Sequence, residues 1–148
     1  MKTVPKRILV LDDDVNILSI YALTLVRAGY TVDTAADGEQ GWNALCTNDY
    51  DLLLTDNNMP RLTGVELVVR LRRAGITVPV IIITARPHQY PEAVRLGVDA
   101  FMEKPLDFPV LLRAIRKFTH EPEKRHTERI TDRGFVTRLL NGNSANHS

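Results

Sequence analysis

Ile8-Leu9-Val10-Leu11, followed at once by Asp12-Asp13-Asp14, is the stretch from which the rest of the chain can be read. Four apolar residues are too few for a helix with a buried face. A short branched run of this kind fits a strand buried on both sides. Three further runs share its character, at 52–55, 80–84 and 100–102. Another, 30–35, follows Gly29 and alternates more, which suits an edge strand with one face partly wet. In chain order these are β1 (8–11), β2 (30–35), β3 (52–55), β4 (80–84) and β5 (100–102).

The segments between them carry helical spacing. In α1, 15–28, Leu18, Tyr21 and Leu25 form one stripe, and Gly29 sits where a C-terminal cap belongs. In α2, 38–47, Trp42, Leu45 and Cys46 fall together. In α3, 64–74, the stripe is Val65, Val68 and Leu71, closed by Gly75. A short α4, 91–96, stops at Gly97, and α5, 108–118, turns Leu111, Leu112 and Ile115 inward and Arg113, Arg116 and Lys117 outward. Strand and helix thus alternate five times, with short connections, over about 118 residues, a pattern that calls for an α/β fold: a parallel sheet with helices on both faces.

Composition narrows the function classes. The chain has 148 residues, 44% apolar and 25% charged, which fits one compact domain. Its 19 basic and 18 acidic side chains give a net charge of +1, so there is no broad cationic field for nucleic acid or an anionic membrane. The single Cys46 forms no internal disulfide, zinc knuckle or redox dithiol, and is expected as a small buried apolar side chain in a reducing cytoplasm. The basic stretch 1–7 precedes only the run 8–11, from which neither a signal peptide nor a membrane span can be built. Past Phe118 apolar groups become sparse. Residues 1–118 are expected to form the domain and 119–148 a tail or linker, flexible or partly helical, in which Val136, Leu139 and Leu140 could dock a frayed helix.

Three polar features lie at the carboxyl ends of expected strands, where open α/β sheets bind ligands. Asp12 to Asp14 repel one another unless a cation offsets them, and hard divalent ions such as Mg²⁺ prefer such oxygen donors; any one of them could instead cap α1. Asp56 ends an apolar strand and is followed by the turn Asn57-Asn58-Met59-Pro60. Held rigidly near a metal, such a carboxylate can attack phosphorus, although taken alone it reads as an ordinary turn residue. Thr84 ends β4, and Lys104 follows β5 just before Pro105. A hydroxyl and an ammonium can serve two phosphoryl oxygens, and the set together supplies what phosphoryl transfer requires.

Ile-Leu-Val-Leu-Asp-Asp-Asp (8–14), Leu-Leu-Leu-Thr-Asp-Asn-Asn-Met-Pro-Arg-Leu-Thr-Gly (52–64), Ile-Ile-Ile-Thr-Ala (81–85) and Glu-Lys-Pro (103–105), in that order, resemble the receiver domain of two-component response regulators. The resemblance covers about residues 7–118. It implies a flavodoxin-like, doubly wound, five-stranded parallel sheet of order 2-1-3-4-5 with five helices. It also implies a phosphorylation-dependent signalling domain in place of a turnover enzyme. Carried over by position, Asp56 is the phosphoacceptor; Asp12 and Asp13 hold Mg²⁺ with Asp56 and the backbone carbonyl of Asn58. Asp14 is the variable neighbour that begins α1. Thr84 is the switch hydroxyl and Lys104 its partner at the phosphoryl group, with a Lys104-Pro105 bond often cis in the family. Phe101 stands at the aromatic switch position, where Tyr is frequent, and brings no hydroxyl. Asn58 and Arg86 occupy positions that tune loss of the phosphoryl group to water.

The partners so implied are a histidine kinase or phosphotransfer protein and a second copy meeting at the α4-β5-α5 face, where Phe101, Arg95, Arg113 and Arg116 lie on or near the surface. Direct nucleic-acid binding is not expected, because the residues after Phe118 are too few for a helix-turn-helix unit with its own core. Two rivals share parts of this chemistry. A haloacid-dehalogenase-like phosphatase needs a second aspartate two residues past the nucleophile, where this chain has Asn58. A flavodoxin-like cofactor binder needs a hydroxyl- and glycine-rich loop after β1, where three aspartates would repel the flavin phosphate. A degenerate receiver that serves only for docking would not need the acidic pair, acceptor, hydroxyl and lysine that this chain retains.

Overall fold

The computed structural model describes residues 4–85, 97–120 and 135–137. Five strands run parallel: β1 (Arg7–Leu11), β2 (Thr31–Ala35), β3 (Leu52–Asp56), β4 (Val80–Thr84) and β5 (Ala100–Glu103). Their order is β2-β1-β3-β4-β5, the doubly wound order expected. A sixth strand, β6 (Phe135–Thr137), runs antiparallel along the outer side of β5. Val136, expected at most in a frayed helix, therefore lies in an extended segment. An edge strand leaves a row of N–H and C=O groups open, and pairing with them outweighs a weak helical preference.

The described helices are α1 (Val15–Arg27), α2 (Gly38–Thr47), α3 (Gly64–Arg73) and α5 (Phe108–His120). The expected helix α4 at 91–96, and with it Arg86 and Arg95, lies outside the described residues. None of the described helices is long and apolar enough to cross a membrane.

Successive strand residues point to opposite faces, so a strand covered on both must be apolar throughout. Ile8, Val10, Leu52, Leu54, Ile81 and Ile83 face α1 and α5, meeting Leu18, Tyr21, Leu25, Leu111 and Ile115. Leu9, Leu11, Leu53, Val80 and Ile82 face α2 and α3, meeting Leu45, Leu67, Val68 and Leu71. β2 at the far edge keeps mostly half-buried or exposed side chains, as its alternation implied.

The α1 stripe is the expected one. The face of α2 is not. Its buried residues are Gly38, Gly41 and Leu45, and Cys46 is exposed, contrary to the buried position expected for it. The inward face of α2 carries two glycines because a Cβ at Gly41 would collide with the Leu11 side chain. A stripe read from apolar side chains cannot register a face made by close backbone approach. In α3 the buried set is Gly64, Leu67, Val68 and Leu71, with Val65 only half-buried. Thr63 and Glu66 form a reciprocal capping box at its start, and Arg70, Arg72 and Arg73 in its last turn oppose the negative end of the helix.

Candidate functional site

After β1 the chain passes outward to β2 and then returns to β3 on the other side of β1. The connections leaving β1 and β3 consequently run to α1 and α3 on opposite faces of the sheet, which opens a crevice between their carboxyl ends. Asp12 follows the last residue of β1, and Asp56 is the last residue of β3.

The two buried carboxylates, only 2% and 3% exposed, stand with the exposed Asp13 in one cluster whose oxygens lie within 4.8 Å of one another. Asp12 Oδ1 accepts the Asp14 N–H at 2.9 Å, while its buried Oδ2 has no hydrogen-bond partner among the described residues. Lys104 Nζ stands 2.8 Å from Asp56 Oδ1. That contact is an ion pair, and among the described residues no other donor satisfies this oxygen. Burial pushes the Asp12 carboxyl above the ordinary carboxylate range; the Asp14 N–H opposes this and the charge on Asp56 adds to it. Burial raises Asp56 likewise, and the Lys104 ammonium pulls it back down. The crevice thus holds more negative charge than its own groups neutralise, in hard oxygen donors. An orphaned buried carboxylate oxygen beside two further carboxylates fits a divalent cation such as Mg²⁺.

Thr84 is buried, 1% exposed, and pairs in register with Glu103, while Asp56 pairs with Ile83. The Lys104 N–H donates to the Thr84 carbonyl at 3.1 Å, which ties the ends of β4 and β5 together, and the Lys104-Pro105 peptide is cis. Asp14 does not join the cluster: its side chain caps α1, accepting from Asn16 N and Ile17 N. Asn58 is exposed next to the pocket, and its backbone N–H helps hold down the Asp56 carboxyl. Phe101 is buried, 2% exposed, with its ring in the core on the α2 and α3 side. Arg113 and Arg116 are exposed on α5.

Two residues behind Asp56 carry weight that sequence reasoning did not assign. Asn57, 2% exposed, donates its N–H to the Ile83 carbonyl at 3.0 Å and accepts the Val65 N–H on its side-chain Oδ1 at 3.0 Å. It pins the strand end to both β4 and the start of α3. Gly64 closes against it, its N–H bonded to the Asn57 carbonyl at 3.1 Å, and a Cβ there would stand 2.9 Å from the Asp56 carbonyl oxygen. The signal in the sequence was Thr63-Gly64-Val65-Glu66, a capping box with a glycine directly after a strand-ending turn.

The family model for the response regulator receiver domain matches residues 8–116. The transcriptional regulatory protein DltR of Streptococcus agalactiae is 35% identical over 117 residues, 78% of this chain and 52% of that protein. This chain therefore spans about half the length of that curated relative. Among solved structures, the receiver domain of the Francisella response regulator 1452 superposes with a TM-score of 0.76 at 28% identity, covering 79% of this chain and 98% of that one. The response regulator TrrA of Thermotoga maritima, solved in complex with Mg(2+)-BeF, has a TM-score of 0.71 at 31% identity over 76% of this chain and 98% of its own.

Proposed function

This chain belongs to the response regulator receiver domain family, and we propose that Asp56 takes a phosphoryl group from the phosphohistidine of a histidine kinase or phosphotransfer protein. The observation that carries this reading is the ion pair of a buried strand-end carboxylate with Lys104 at 2.8 Å, inside a cluster of three carboxylates. An Asp56 carboxylate oxygen attacks phosphorus, the P–N bond to the donor breaks, and the electron pair leaves with the imidazole. Asp12, Asp13 and Asp56, with the Asn58 backbone carbonyl, would hold Mg²⁺, which supplies positive charge to the carboxylates and to the phosphoryl oxygens as charge shifts between them. Lys104 keeps its ammonium beside the same oxygens, and the Thr84 hydroxyl donates to one of them. The protein's other task is steric, since Asn57 and Gly64 hold the acceptor in place from behind.

The phosphoryl group adds about −1.5 to −2 of charge at this rim. It draws Thr84 and Lys104 inward and biases two arrangements of the α4-β5-α5 face, with Phe101 at the switch position and a second copy or another protein as the partner there. Asn58 and Arg86 govern access of water to the phosphoryl group. Residues 1–118 act as the receiver in the cytoplasm and 119–148 as its tail or linker. Asp56→Asn is expected to abolish Mg²⁺-dependent labelling by acetyl phosphate or phosphoramidate in a chain that remains folded by circular dichroism. Labelling that persists in that variant would overturn the assignment.

A further inference from the structure

The outer edge of β5 is occupied by residues 135–137 of the same chain, in the register Ala100↔Thr137, Phe101↔Val136, Met102↔Phe135. We propose that this edge is a docking surface for an extended antiparallel strand, that β6 is its resident occupant, and that filling the Asp56 pocket releases it. The coupling half of this inference rests on the function proposed above. The cover itself does not.

The backbone sets the direction of the contacts. The Lys104 N–H, directly after β5, donates to the Thr84 carbonyl at 3.1 Å. Strand N–H groups alternate in direction, so the Met102 and Ala100 N–H groups also turn toward β4 and that of Phe101 turns toward the outer edge. In an antiparallel ladder the residue paired with Phe101 exchanges both bonds with it, which assigns the donor on β6 to Val136. Ala100, Phe101 and Met102 are at most 2% exposed. Bared, this edge would present open hydrogen-bonding groups beside a fully apolar strand, the arrangement that recruits another strand.

The cover is also built to leave. Three residues are a short strand, so few bonds hold this contact. β5 ends at the pocket. Glu103 pairs with Thr84, the Lys104 N–H is bonded to the Thr84 carbonyl, and Lys104 Nζ meets Asp56, all within two residues of Met102. A phosphoryl group that draws Thr84 and Lys104 inward moves the end of the very strand on which β6 is seated.

Hydrogen exchange on the full chain tests both halves. Val136→Pro removes the β6 donor that faces Phe101 without touching the pocket. The expected result is at least a tenfold rise in exchange at Phe101, with Leu9 and Leu53 unchanged as a check on folding. Exchange at Phe101 that matches the unaltered chain overturns the cover. In the unaltered chain, Mg²⁺ with beryllofluoride is expected to raise exchange at Phe101 and Val136 together. Labelling of Asp56 by acetyl phosphate, read separately, tells the two readings apart. Intact labelling with no change in exchange overturns the coupling alone, and absent labelling overturns the function on which the coupling rests.

Discussion

At the amino rim of the sheet Asp51 accepts the Arg7 N–H at 2.7 Å and Asp99 accepts the Val80 N–H at 2.8 Å, whereas at the carboxyl rim Asp12 keeps a buried oxygen with no partner among the described residues. Asp33, in the same neighbourhood as Arg7, receives the Tyr50 hydroxyl at 2.6 Å and the Arg7 guanidinium at 2.7 Å. Its carboxyl is held below the ordinary range, chiefly by the Tyr50 bond. Asp12 and Asp56 are pushed the other way by burial. One side chain type therefore serves as mortar at one end of the strands and as stored charge at the other. The difference lies in whether donors are supplied, and it marks the end of the sheet where an incoming cation and phosphoryl group would complete the electrostatics.

The largest effect belongs to the satisfied rim. The Arg72 guanidinium donates to the carbonyls of Ile76, Val78 and Gly97, each at 2.8 Å, and stands 3.9 Å from Asp99. Arg72→Ala removes a donor from three part-buried carbonyls and is expected to cost about 3 kcal/mol, at about 1 kcal/mol for each hydrogen bond lost. Urea denaturation measures it, and a loss below about 1 kcal/mol would mean that this rim is not held as described. Arg72→Lys, which reaches fewer of the three, should fall between.

The unsatisfied rim should answer with the opposite sign. Two unit charges at the cluster's 4.8 Å spacing repel by about 3 kcal/mol in an effective dielectric near 20, so Asp12→Asn is expected to stabilise the metal-free chain by about 1–3 kcal/mol. Mg²⁺ should raise the melting temperature of the unaltered chain and leave that of the variant nearly where it was. A variant less stable than its parent in chelator would erase the contrast between the rims.

Asp14 sharpens the boundary of the cluster. Asp14→Ala removes the cap of α1 at a cost of about 1 kcal/mol while labelling of Asp56 continues, because the contact that Asp14 makes with Asp12 is through its backbone N–H. A loss of labelling equal to that of Asp56→Asn would place Asp14 in the cluster after all.

The smallest effect is a change of slope with pH. Burial and the bond to Asp33 push the Tyr50 hydroxyl up to about 12 from 10.0. The folded state thus keeps a proton that the unfolded state gives up, and stability falls as pH climbs from about 10 toward 12. Asp33 works on the acid side. Its lowered carboxyl contributes stability above its unfolded pKa, and that contribution is lost as pH falls through the folded value. Tyr50→Phe should flatten both limbs of a curve of denaturation midpoint against pH, measured beside the parent chain.

Much of this was readable in advance, and the failures share a cause. The run 80–84 coincides with β4, and Leu18, Tyr21 and Leu25 are the buried residues of α1, because alternation and helical spacing report which side chains leave water. Cys46 was misplaced because glycines, which have no side chain to report burial, form the inward face of α2. Asn57 and Gly64 escaped for a related reason. Their work is done by backbone groups and by one amide aimed across the turn, and nothing periodic announces it. β6 was missed because three residues in a polar tail carry no pattern of their own and become a strand only where an open edge is present to pair with them.

From the residues alone follow the alternation of strand and helix, the burial of the central strands on both faces, and the presence of carboxylates, a hydroxyl and a lysine at strand ends. These are local properties, set by side chains within a few positions of one another. That Lys104 meets Asp56 at 2.8 Å, that Asp12 is left with an oxygen unmatched among the described residues, and that residues 135–137 pair with β5 were settled by strand order and register. Those distances join segments far apart along the chain, and they exist only once the two cores have packed and brought the strand ends to one rim.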